Sequence, residues 1–270
     1  MKKVFFATTF AFLASSLVFA PEGKSQSFSE CGDVSGVSDA AFASQFSNGC
    51  AMTPEKYEIV LYEMGLCTGA TSPIAGGSLD RTNCTATFSN ASGQTVDLAG
   101  SASITLGSAS STAPTPNSYT WGYMVMANTF GLKGSITTAS NTWRSTSDST
   151  ASSTATSSAE FTESLTNFGS GSCTSSASAN MSLGTMSAIL TGSDLTEDTS
   201  CSSVSRLVGA FSPSSAYVIT SSTTAVKITF DVTTDSSTGY AGAMSVIPSR
   251  SGGVDQFGSG PFQMEITTIE

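Results

Sequence analysis

One residue in three of this chain is Ser or Thr: 52 serines and 37 threonines among 270 positions. Ser competes with the helix for its own backbone, and Thr is stiff at its β-carbon, so both suit turns and half-wet strands better than long helices. Charged residues make up only 11% of the chain, which leaves solubility to the hydroxyls. A core built from such material has to come from apolar positions that alternate with hydroxyls, the pattern of antiparallel sheets.

The alternation recurs along the chain. Tyr57, Ile59 and Leu61 predict one face of a strand and Val60, Tyr62 and Met64 the other. Cys84 to Phe88 predicts a strand, Ser89 to Gly93 a turn and Gln94 to Leu98 the return, with a further short strand at Ser103 to Leu106. Tyr119 to Ala127 is apolar on both faces and reads as a central strand. Val226 to Val232, Tyr240 to Ile247 and Phe262 to Thr267 complete the clearest set. Ser38 to Phe46 predicts one short helix, with Phe42 and Phe46 four apart on one side. Eleven of the fourteen residues 145–158 are Ser or Thr, a composition for a solvated loop, an edge ribbon or a carrier of O-linked sugar. The fold class is therefore all-β: an antiparallel β-sandwich or jelly-roll of ten to fourteen strands with long Ser/Thr/Gly-rich loops and at most one or two short helices.

Met1-Lys2-Lys3 followed by apolar residues to Ala20 has the layout of a secretory signal peptide, although Pro21 disfavours cleavage directly after Ala20. Its removal takes the formal charge from −10 to −12. Residues 21–55 read as a Cys-stapled leader segment and 56–270 as a single β-sandwich domain, with no membrane span after signal removal. The six cysteines, Cys31, Cys50, Cys67, Cys84, Cys173 and Cys201, all follow the signal, so disulfides in an oxidising compartment are expected. Short loop closure favours the sequential pairing 31–50, 67–84 and 173–201.

The chain has no His, which removes the commonest general base and the Ser–His–Asp and Cys–His arrangements. No nucleophile-elbow or phosphate-loop motif is present, and no enzymatic activity is expected. Paired carboxylates can hydrolyse glycosides without His, and Glu160 with Glu163 or Glu58 with Glu63 are the nearest pairs. The acidic balance argues against nucleic acid. Asp194, Glu197 and Asp198 form the densest acid group and the candidate calcium ligands. Tyr119, Trp121 and Tyr123, with Trp143, are the candidate stacking surface for a polysaccharide or other ligand.

In composition alone the chain resembles bacterial surface-layer, pilus and filament subunits. The expectation is an exported structural protein of the extracellular space, cell surface or periplasm, assembling with itself or with other cell-surface proteins, with Phe262–Ile269 as the exchangeable strand. The alternative is a secreted carbohydrate- or ligand-binding β-sandwich.

Overall fold

A computed structural model describes residues 28–100, 112–169, 171–181, 184–223, 225–237 and 239–269. The expected signal peptide and the Ser103 to Leu106 strand lie outside these residues. In chain order the elements are α1 (Asp39–Gln45), β1 (Cys50–Met52), β2 (Lys56–Cys67), β3 (Cys84–Asp97), β4 (Asn117–Tyr119), β5 (Trp121–Ala127), β6 (Thr129–Lys133), β7 (Ser135–Thr137), β8 (Thr142–Ser145) and β9 (Ala151–Ser152). They continue with β10 (Phe161–Ser164), β11 (Ser176–Met181), β12 (Gly184–Thr191), β13 (Arg206–Pro213), β14 (Tyr217–Ile219), β15 (Ala225–Asp231), β16 (Met244–Pro248), β17 (Val254–Ser259) and β18 (Gln263–Ile269). The fold is all-β and sandwich-like, and the ladders between these strands are antiparallel.

The main sheet runs β3–β2–β5–β13–β12–β11, with β6 continuing β5 along β2 and β10 flanking β6. Strand β5 is central because neither face is polar. Met124 and Met126 point inward, and Tyr123 and Val125 point to the opposite face. The inner face packs against a second layer of small sheets, β1–β16–β17, β15–β18, β14–β4 and β7–β8–β9. Tyr57 joins the two layers: its ring meets Phe130 and Phe262 edge-on, and its hydroxyl donates to the Gly260 carbonyl at 2.8 Å.

Loops cover the outer face in place of a second sheet. Ile74 and Leu79 come from residues 68–83 and Leu195 from residues 192–198, and they pack with Tyr123, Val125, Ile189 and Val208. The two loops bond to one another, Leu79 N–H to Leu195 O at 3.3 Å and Glu197 N–H to Gly77 O at 2.7 Å. Neither loop has the cooperativity of a sheet to hold it in place. Each is anchored covalently instead: Cys67–Cys84 closes the first at its base, and Cys173–Cys201 ties the end of the second to the approach of β11. With Cys31–Cys50, the six cysteines take the sequential pairing that loop closure favours, and the described residues contain no free thiol. Three disulfides place the protein in an oxidising, extracellular-type environment.

The segment from residue 28 shares the same core. Ser38 caps α1 by accepting the Ala41 N–H, and Phe42 and Phe46 stack one turn apart with ring centroids at 5.1 Å. Cys31 and Cys50 then bring this helix against β1, which pairs with β16.

Two local expectations are corrected. Met64 shares the inner face with Tyr57, Ile59 and Leu61, because a bulge between Leu61 and Glu63 shifts the phase of β2 by one residue. Residues 89–93 do not turn the chain; β3 runs through them as a bulge opposite Tyr62, with Ser89 facing Glu63 and Gln94 facing Leu61. The Ser/Thr-rich stretch 145–158 forms an edge ribbon: β9 pairs with β8, and the Ser145 hydroxyl donates to the Ala159 carbonyl at 2.7 Å.

Replacing Cys67 and Cys84 together by Ala is expected to cost about 3 kcal/mol in urea unfolding. It is also expected to speed tryptic cleavage after Arg81, inside the freed loop. Unchanged stability and an intact loop would show that the covering loop holds without its staple.

Candidate functional site

The three aromatic residues expected on one face are separated. Thr120 lies between β4 and β5 and is held by its hydroxyl to the Gly69 carbonyl at 2.6 Å, which breaks the alternation. Tyr119 therefore enters the inner core, with its hydroxyl donating to the Thr115 carbonyl, while Trp121 and Tyr123 belong to the outer face. Tyr123 lies over Gly65, where a Cβ would come within 2.3 Å of its ring, and its hydroxyl reaches Glu63 at 2.6 Å. Trp143 is elsewhere again. Its indole N–H donates to Asp39 at 3.2 Å, and its ring covers Gly253, whose φ of +78° and lack of a Cβ permit the approach. Asp39 also accepts from Thr138 and Asn141; these bonds outweigh the burial that opposes ionisation and hold the carboxyl below its usual range. The indole is a structural clasp between α1 and the 249–253 turn, and these four rings do not assemble into a stacking platform.

The acidic loop is likewise committed to its own backbone. Asp194 accepts the Thr196 N–H, Glu197 accepts the Ser175 hydroxyl, and Asp198 accepts from Ser200 and Ser203. The described residues hold no group of three or more His, Cys, Asp or Glu side chains placed to share a metal ion. A wider pattern was present in the sequence and missed: Asp-x-Ser/Thr. In Asp80–Thr82, Asp148–Thr150, Asp198–Ser200, Asp231–Thr233 and Asp235–Ser237, Oδ1 accepts both the N–H and the hydroxyl two residues on. This is the Asx-turn, and it stabilises the charged carboxylate, lowering the pKa of Asp80 and Asp198; Asp148 is lowered first by the Thr146 hydroxyl and then by its own turn.

The expected carboxylate pairs are also redistributed. Glu58 and Glu160 both bind Lys56, at 2.9 and 2.7 Å. Glu63 is gripped by Arg81 through two N–H···O bonds of 2.7 and 2.9 Å. Burial opposes its charge, but Arg81 and Tyr123 outweigh burial and hold its pKa down. Glu163 is different. It points from β10 to β17, accepts the Ser259 N–H at 2.5 Å and has no cation partner among the described residues, so burial dominates and its pKa is raised.

The feature left open is the pair of outer strands of the main sheet. Strand β3 pairs only with β2, and β11 only with β12, among the described residues. Natural edge strands are protected by Lys, Pro, inward charges or bulges. Strand β11, Ser-Ala-Ser-Ala-Asn-Met, carries none of these residues, and the only charge on β3 is its last residue, Asp97. Two bulges interrupt β3, at residues 90–93 and at Thr87 between Ala86 and Phe88; β11 is six residues long and pairs with β12 without a register shift.

Among the described residues no helix is long and apolar enough to cross a membrane. No family model, no curated protein and no solved structure matches this chain.

Glu163 and Glu63 give opposite pH signatures. The folded state favours protonated Glu163, so its contribution to stability falls as pH rises above 4.5, its ordinary value. Glu63 contributes fully above 4.5 and loses that contribution as pH falls through its lowered folded value. In urea titrations from about pH 3 to about pH 8, Glu163→Gln is expected to flatten the decline on the neutral side and Glu63→Gln the decline on the acid side. The same pH slope in both variants as in the parent chain would refute the assignment.

Proposed function

We propose that this chain is an exported structural protein of the extracellular space or cell surface that assembles with its own copies by extending the main sheet from edge to edge. The observation that carries the proposal is the pair of outer edges without Lys or Pro, of which β11 has no bulge either. Five antiparallel ladders separate β3 from β11, an odd number, so the two outermost strands run in opposite directions. A second copy placed beside the first by translation would set β11 antiparallel to β3, continuing the ladder type of the whole sheet. Such a head-to-tail contact is heterologous and does not close on itself, so it propagates as a filament or layer.

Composition supports the same reading. The mature chain is poor in Lys, and backbone pairing along hydroxyl-lined strands needs no charge complementarity. The C-terminal strand is a weaker route to assembly: β18 pairs with β15 along its length and buries Met264 and Ile266 in the core.

Protein secreted through an oxidising compartment is expected to show oligomers that grow with concentration in size-exclusion light scattering. Ser176, Ser178 and Asn180 are exposed on β11. The triple variant Ser176→Lys, Ser178→Lys, Asn180→Lys is expected to remain monomeric with the parent's melting temperature. A parent chain that stays monomeric at every concentration would overturn the proposal.

A further inference from the structure

Between the main sheet and its inner cover lies a cavity of about 80 Å³. Four methionines line it: Met124 and Met126 from β5, Met186 from β12 and Met264 from β18. Protein interiors leave few voids larger than a water molecule. An apolar void stays dry and accepts small apolar guests. Methionine suits such a wall, because its unbranched, polarizable side chain re-packs around an occupant.

One polar atom breaks the apolar lining. Ser259 is 2% exposed and lines the cavity, and its Oγ has no hydrogen-bond partner. Its backbone N–H is taken by Glu163; its hydroxyl lies near enough to that carboxylate to favour the charged form, but without hydrogen-bond geometry. The other hydroxyl in the wall, that of Tyr57, is satisfied by the Gly260 carbonyl. A buried hydroxyl without a well-formed hydrogen bond has lost water for an incomplete return, and such groups are rare. A lone hydroxyl holds water poorly, since a buried water needs two to four polar partners.

We propose that this chamber binds a slender aliphatic molecule with a single neutral hydrogen-bonding end, of the class of short-chain alcohols and ketones. The alkyl part lies among the four methionines and the oxygen meets Ser259 Oγ. Size follows from the volume: a cavity of about 150 Å³ accepts benzene, so this one admits a few carbon atoms. Charge follows from the wall, which contains no Lys or Arg, so a carboxylate head would be buried unpaired. Access follows from β15, whose inward residues Val226, Ile228 and Phe230 are only partly buried; Phe230 meets the cavity-lining Phe262 edge-on at 5.6 Å. The site uses neither sheet edge and stands independently of self-assembly.

The test is a titration of the full disulfide-bonded protein, labelled with ¹³C at its methionine methyls, with ethanol and separately with xenon. Saturable shifts are expected at Met124, Met126, Met186 and Met264 with both probes, while Met52 and Met244, outside the cavity wall, stay in place. Ser259→Ala is expected to weaken ethanol binding about fivefold, the value of one hydrogen bond, and to leave xenon binding unchanged. Shifts that rise linearly and spread over all the methionines would overturn the site. Equal affinity of Ser259→Ala for ethanol would overturn the role of the hydroxyl. Should that variant not fold, the contrast between lining and non-lining methyls in the parent protein decides.

Discussion

Strand β5 has no wet face, and the architecture follows from covering it twice. Its inner residues, Met124 and Met126, are met by the second layer of strands. Its outer residues, Tyr123 and Val125, are met by loops alone. Fully burying one such side chain is worth about 1.5–3 kcal/mol, so leaving the outer face bare would cost a large share of a domain's net stability. A loop cover orders many residues without ladder hydrogen bonds in return, and its entropy is the opposing term. Two of the three disulfides sit where that opposition is greatest, at the ends of the covering loops.

The hydroxyl-rich composition has a second structural use besides wetting the strands. Five Asp-x-Ser/Thr triplets, those starting at Asp80, Asp148, Asp198, Asp231 and Asp235, each close a turn by satisfying a backbone N–H and a hydroxyl with one carboxylate oxygen. The acids are thereby distributed one per turn and are not gathered into a common site. Three of the cations are held by carboxylates in turn: Lys56 by Glu58 and Glu160, Lys133 by Glu55, and Arg81 by Glu63.

The fold class, the central strand, the short helix and the disulfide pairing were legible because each depends on local pattern: alternation, a four-residue Phe spacing and loop length. The misread elements depend on a partner strand. Nothing in Leu61-Tyr62-Glu63 announces a bulge; it exists because β3 and β5 both shift register there. Ser89 to Gly93 has turn composition, yet the chain carries on because Gln94 to Asp97 finds the unpaired half of β2. Tyr119 left its expected row because Thr120 is bonded to Gly69, fifty-one residues earlier in the chain. The cavity was hidden for the same reason: Met124, Met186 and Met264 lie on three strands and meet only through the topology.

The sheet edges connect the composition to the assembly proposed above. A protein that defends its edges with charge needs Lys to spare, and here Lys56 and Lys133 are engaged in ion pairs within the body. Of the devices that protect an edge, β3 uses the bulge twice, at residues 90–93 and at Thr87. A bulge interrupts pairing locally but leaves the ladder groups on either side of it free. In the assembly proposed above, pairing with a like copy would satisfy those groups with the same antiparallel geometry that the sheet already uses. Under that proposal a Lys-poor, hydroxyl-rich sheet would carry its self-recognition in the backbone, where side-chain substitution erodes it least.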